Sequence, residues 1–198
     1  MSKYSPKHPD VEPLSRPQLL VAMAVTALVL LLIARLWLFF EPALFPTRLS
    51  WKDAGLGLGF GIGISIASAL TYRIWPAYRQ SADFYLAFVL APLVPSDSVW
   101  IALLPGMSEE LLFRGVMLPA IGLNVTGLMV SSLCFGVLHM SNWQQWPYAI
   151  WAIAIGLVLG GSALVTGNLL VPIVAHVTTN FASSLFWQLY QRRAKTMR

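Results

Sequence analysis

The chain has 198 residues, 57% of them hydrophobic and only 11% charged, with a mean hydropathy of +0.68. A soluble domain carries about a quarter of its residues charged, so this composition excludes a water-soluble globule and indicates an integral membrane protein. The formal charge is +5 and the pI about 9.7, but the basic residues stand beside apolar runs, as topology determinants do, and make no case for a nucleic-acid partner.

Residues 1–16 carry Lys3, Lys7 and Arg16 among prolines and read as a disordered tail. From Pro17 to Phe40 the chain is almost wholly apolar, long enough to cross about 30 Å of hydrocarbon. It exceeds a signal-peptide core and no small-residue cleavage site follows, so a retained first span is expected. Arg35 near its end can snorkel to the interface.

A loop at 41–53 leads to a second span at about 54–75. There Gly55, Gly59, Gly63 and Ala67 fall on one helical ridge, the small-xxx-small pattern of close packing. These glycines lack the Gly-Lys-Ser/Thr of a phosphate-cradling loop. Residues 83–95, with Pro92 and Pro95, are too short to cross and read as an interfacial or re-entrant helix. Spans follow at about 98–119, bent near Pro105, then 122–140, 146–166 and 168–190, before a basic tail at 191–198. Gly156 and Gly160 offer a second close contact. Trp37, Trp75, Trp100, Trp143, Trp146 and Trp187 sit near span ends, where an aromatic belt would place them.

The expected fold is thus all-α: a polytopic transmembrane bundle of about six spans with one short helix. Residues 17–97 supply accessory spans and 98–190 the functional bundle. Six crossings put nine Lys and Arg residues with both termini, against Arg48 and Lys52 opposite. A seventh would make the split five to six. The positive-inside rule favours six, with both termini cytoplasmic. A short basic chain of this kind suggests a prokaryotic cytoplasmic membrane. Cys134, the single cysteine, excludes an intramolecular disulfide and reads as a packing residue.

Of eight acidic residues, Asp10, Glu12, Glu41, Asp53, Asp83 and Asp97 fall in expected tails or loops. Only Glu109 and Glu110 lie inside a span. Each charge at a bilayer centre costs roughly 2.5–3.5 kcal/mol on insertion scales, so such residues are functional by default. Glu110 and Arg114 share a helix face at i,i+4, acid first, the better orientation. Glu109 points about 100° away and has no partner on its own helix. Phe135 and His139 share a face of the next span, and His176 and Asn180 a face of the last.

Taken singly, each pair has a structural reading: an ion pair that survives in lipid, an interfacial histidine, polar glue between helices. Jointly they make a site in which Glu109, about 16 Å deep if its span starts near residue 98, faces the histidines. A carboxylate held away from water is a stronger base than one in solution. Beside a neutral histidine it can deprotonate a water, and a second histidine with an amide can donate to an oxyanion.

Glu109-Glu110-x-x-x-Arg114, Phe135-x-x-x-His139 and His176-x-x-x-Asn180, in that order and each within an apolar span, resemble the three motifs of the CPBP family. These are the CAAX-processing and bacteriocin-processing intramembrane endopeptidases, also called Abi or type II CAAX prenyl endopeptidases. The resemblance covers about residues 98–190 and no motif position departs from the pattern. It implies an all-α membrane bundle around a polar cavity. By the same resemblance Glu109 is the catalytic glutamate, His139 helps position the water, His176 and Asn180 stabilise the oxyanion, and Glu110, Arg114 and Phe135 support them. The implied substrate is a membrane-associated protein or peptide that can be lipidated, and no cofactor is implied.

Two alternatives stand. Glu109, His139 and His176 form a His₂Glu set able to hold zinc with an open water position, although the HExxH spacing is absent. A transporter or a scaffold giving immunity to bacteriocins could also use buried Glu and His groups, although no inverted internal repeat is visible.

Overall fold

The computed structural model describes residues 14–196, with side chains to residue 189. Most of the expected N-terminal tail lies outside the described residues. Among those residues every regular element is helical, as the composition predicts. The helices are α1 (Arg16–Phe40), α2 (Trp51–Ile74), α3 (Pro76–Leu90), α4 (Ser98–Glu110), α5 (Leu118–Ile121), α6 (Val125–Leu138), α7 (Trp146–Thr166) and α8 (Leu170–Thr196). A π-helix, Leu111–Met117, joins α4 to α5.

Local signals set the boundaries. Ser15 and Gln18 form a capping box before α1 with Pro17 in its first turn, a pairing that satisfies amides the helix cannot. Arg16 therefore belongs to the helix rather than to the tail. Ser50 Oγ accepts from the Asp53 amide at the start of α2, and Asn124 Oδ1 from the Gly127 amide at the start of α6. Gly167, at φ 62°, ends α7 in the left-handed region that favours glycine. Asp53 and Asp83 lie in helices, not loops. At the far end, α8 runs on through Thr196, so the expected tail is helical to that residue.

Pro119 explains the π segment. It has no N–H for the carbonyl of Gly115, its i−4 acceptor, and its ring crowds that carbonyl. The ladder widens upstream, and the freed Gly115 carbonyl accepts from the Phe45 amide at 2.8 Å. α4 carries Pro105 inside it, and after Glu110 the chain passes into the π segment.

The helices bury small residues and expose large ones, as a bundle solvated by lipid does. On α1, Ala27 and Ala34 are buried while Leu28, Leu32 and Leu36 are exposed. On α2 the packing ridge is not the one expected. Gly55, Gly59 and Gly63 face open space; Gly57 and Gly61 meet α8. A Cβ at Gly61 would lie 2.7 Å from the Ala175 carbonyl and 2.6 Å from Thr178 Cβ. The sequence offers two interleaved glycine ridges, and α8 takes the one it can hydrogen-bond: Thr179 Oγ1 donates to the Gly61 carbonyl at 3.3 Å. Gly156 and Gly160 do pack as expected, against Ser132 and Leu128 of α6.

Contacts sort the helix ends into two groups. At one end Arg16 pairs with Asp97, Gln188 donates to Ser98, and Ser81 donates to Gln145. At the other, Asn168 ties the 41–50 loop to the α7–α8 turn. Its Oδ1 accepts from the Arg48 and Leu170 amides, and its Nδ2 donates to the Arg48 carbonyl and to Asp53. The chain passes between these ends in six runs, with α3 lying across the first end and bent by 101° from the 95–121 segment.

By length and composition α1, α2, α7 and α8 are candidate membrane spans, and the bent pair would make a fifth. That is four or five against the six expected. The difference lies in α6, whose 14 residues rise only about 21 Å, and in the α4–α5 run, whose Glu109, Glu110 and Arg114 weigh against it.

Candidate active site

The three motifs meet at the middle of the bundle, where α4 and its π extension pack against α1, α6 and α8. Arg114 and Glu110 are fully buried and joined at 2.8 Å, Nη1 to Oε1. Nη2 of Arg114 donates to the Gly156 carbonyl at 3.0 Å, and its guanidinium sits 4.4 Å from the centroid of Phe135. The small residue at 156 is needed because the guanidinium passes over it: a Cβ there would lie 3.2 Å from Nη2.

His176 is placed differently from the sequence expectation. Its Nδ1 lies 2.8 Å from Glu110 Oε1, the same oxygen that Arg114 holds. Glu109 thus faces one histidine, not both. The reason is helical pitch: α8 crosses α4 at Gly106, whose missing Cβ would fall 2.6 Å from Val177 Cγ2, and this close approach brings His176 over Glu110. A carboxylate only accepts, so Nδ1 carries the proton and Nε2 is turned away from Glu110. Asn180, one turn on, makes no hydrogen bond among the described residues and lines the same cavity.

Glu109 and His139 form the second half. Each side chain is 16% exposed, with Glu109 Oε2 3.7 Å from His139 Nε2. His139 Nδ1 is 2.8 Å from the Phe135 carbonyl. Since that carbonyl can only accept, a proton sits on Nδ1, and Nε2 points toward Glu109. Phe135 therefore has two functions: its backbone fixes the His139 tautomer, and its ring packs against Arg114, Phe113 and His176.

Both halves border a cavity of about 390 Å³. Glu109, His139, His176 and Asn180 line its floor. Apolar side chains of α1, α3 and α4, such as Met23, Leu86 and Ile101, line it too, together with residues of α2, α7 and α8 such as Ser68, Trp151 and Ser183. Two further residues at the site do not belong to any motif. Tyr85 of α3 and Tyr148 of α7 stack at 4.5 Å, and their rings lie 6.5 and 6.3 Å from that of His139. The available signal was weak: Tyr78 and Tyr85 are seven apart and so share a face of α3.

Among the described residues no three His, Cys, Asp or Glu side chains are grouped closely enough to form a metal site in this structure.

The fold and this buried acid–histidine centre define a polytopic membrane protein with the side chains of a hydrolase. Residues 81–182 match the family model "Type II CAAX prenyl endopeptidase Rce1-like". The chain belongs to this Rce1-like family of type II CAAX prenyl endopeptidases, which are peptide hydrolases. It is 40% identical over 78 residues to "Uncharacterized protein YpbD" of Bacillus subtilis (strain 168). That match covers 39% of this chain and 39% of the Bacillus protein. No solved structure matches.

Proposed function

We propose that the protein is a metal-independent intramembrane endopeptidase in which Glu109 and His139 activate water and His176 and Asn180 stabilise the oxyanion. One observation carries this reading. Glu109 Oε2, buried and without a hydrogen-bond partner among the described residues, lies 3.7 Å from His139 Nε2 beside the cavity; with His139 neutral the two are acceptors that need a donor with two protons against both. Water is that donor. As it attacks the scissile carbonyl carbon, Glu109 takes a proton, the C–O bond forms and the carbonyl oxygen becomes an oxyanion. Asn180 Nδ2 donates to that oxygen. His176 donates through Nε2 only as the imidazolium, because its Nδ1 proton is held by Glu110; the Glu110 carboxylate, steadied by Arg114, balances that cation. When the C–N bond breaks, the proton on Glu109 passes to the leaving amine.

The substrate class is a membrane-associated protein or peptide, lipidated or not, taken from the bilayer. The protein sits in a prokaryotic cytoplasmic membrane with both termini in the cytoplasm, the side favoured by the basic residues. The test compares membrane proteomes of cells carrying wild type, Glu109→Gln or His139→Ala at equal levels. One precursor accumulates in both variants, with cleavage reduced about 10²–10⁴-fold, the usual range for a lost acid–base group. Full processing of that precursor by both variants would sink the assignment.

A further inference from the structure

The cavity is polar at its floor but carries almost no formal charge. Among the described residues that line it there is no Lys or Arg, and Glu109 is the one carboxylate. The nearest cations are unavailable. Arg114 is fully buried and bound to Glu110 and Gly156. Arg16, close to the mouth, is held by both oxygens of Asp97 at 2.8 Å each. A carboxylate brought beside Glu109 would lose its hydration and meet a like charge, and the one cation the mechanism places on the wall, the His176 imidazolium, is already balanced by Glu110.

The neutral donors are well represented. The phenol oxygens of Tyr85 and Tyr148 have no hydrogen-bond partner among the described residues, and both side chains line the cavity beside Glu109 and His139. A phenol in apolar surroundings ordinarily finds a partner. Their stacking at 4.5 Å holds both rings from opposite elements, α3 and α7, so the two hydroxyls form a fixed pair. Ser183, at i+3 from Asn180 on α8, adds a third neutral hydroxyl along the same wall.

We propose that this cavity takes its substrate as an uncharged extended segment, hydrogen-bonded through its backbone by Tyr85 and Tyr148, and does not pair with a free C-terminal carboxylate. The inference rests on the proteolytic reading above and narrows its substrate class. A CAAX-type substrate would then be cut without help from its terminal charge, and an internal segment would serve as well as a chain end.

The probe is an S-farnesylated fluorogenic peptide ending in an aliphatic tripeptide, made as the free acid and as the C-terminal amide. It is assayed with the full-length protein in proteoliposomes. Wild type cleaves the amide with kcat/KM equal to or above that of the acid, and Glu109→Gln cleaves neither. Tyr85→Phe and Tyr148→Phe, which keep the ring stack, each raise KM about 5–20-fold with the thermal midpoint unchanged. A preference for the acid overturns the proposal, as do Phe variants with wild-type KM. If wild type cleaves neither peptide but still processes the accumulated precursor, the precursor's own cleavage segment, made as acid and amide, replaces the probe under the same criteria. If no processing occurs at all, the proteolytic reading fails and this inference falls with it.

Discussion

Removing Arg114 should separate its structural role from its part in the chemistry. In Arg114→Met the guanidinium disappears while most of the side-chain volume stays. Three contacts are lost: Nη1 to Glu110, Nη2 to the Gly156 carbonyl, and the stack on Phe135. Glu110, which is fully buried, then keeps His176 as its one partner. Breaking a buried ion pair on one side costs about 3–5 kcal/mol, mostly the stranded charge. The double variant Glu110→Gln/Arg114→Met removes that charge while leaving an acceptor for His176 Nδ1, so it should recover at least half of the loss. Activity should not recover with it. Without the Glu110 carboxylate nothing balances the His176 imidazolium, and cleavage should stay about 10²–10³-fold down, as for loss of an oxyanion donor. Stability is read by reversible SDS titration in mixed micelles, and cleavage on the precursor that accumulates in Glu109→Gln membranes. A stable single variant would refute the stranded-charge argument. An active double variant would refute the function given to Glu110.

Two other substitutions test the frame around the site. Gly61→Ala places its Cβ against the Ala175 carbonyl and should destabilise by about 1–3 kcal/mol as overpacking does, whereas Gly59→Ala, which faces open space, should gain up to about 1 kcal/mol of helix propensity; the reverse order in an SDS titration would show that α2 packs by its other ridge. Asn168→Ala removes four hydrogen bonds, two to Arg48 of the 41–50 loop, one to Asp53 of α2 and one from the Leu170 amide, and should cost about 2–4 kcal/mol at roughly 1 kcal/mol each. Protection of the Arg48 amide in hydrogen exchange should fall with it, and unchanged protection would place the anchor elsewhere.

How far the sequence alone reaches depends on whether a feature is local. Glu110–Arg114 was legible because i,i+4 spacing fixes both partners on one helix. The three-motif resemblance marked residues that do come together. Which glutamate receives His176 was not legible, since that depends on where α8 crosses α4, a crossing set by Gly106 rather than by the histidine. The α2 ridge failed for the same reason. Gly55/Gly59/Gly63 and Gly57/Gly61 are equal as patterns, and only the partner helix chooses between them. Tyr85 and Tyr148 belong to different elements with no shared spacing. Asn168 gave no signal at all, because one amide in a turn looks like any other until the loop it holds is in place.

The Asn168 tie has a consequence for traffic. With the 41–50 loop fastened over that end, the cavity reaches from the centre of the bundle toward the opposite end, and no residue of the loop, the π segment or the α7–α8 turn lines it. On the proteolytic reading proposed above, spent fragments and fresh substrate would then share the route at that opposite end. Turnover would depend on how fast the chamber clears, and fragments left in a closed vesicle should slow the reaction well before substrate is exhausted.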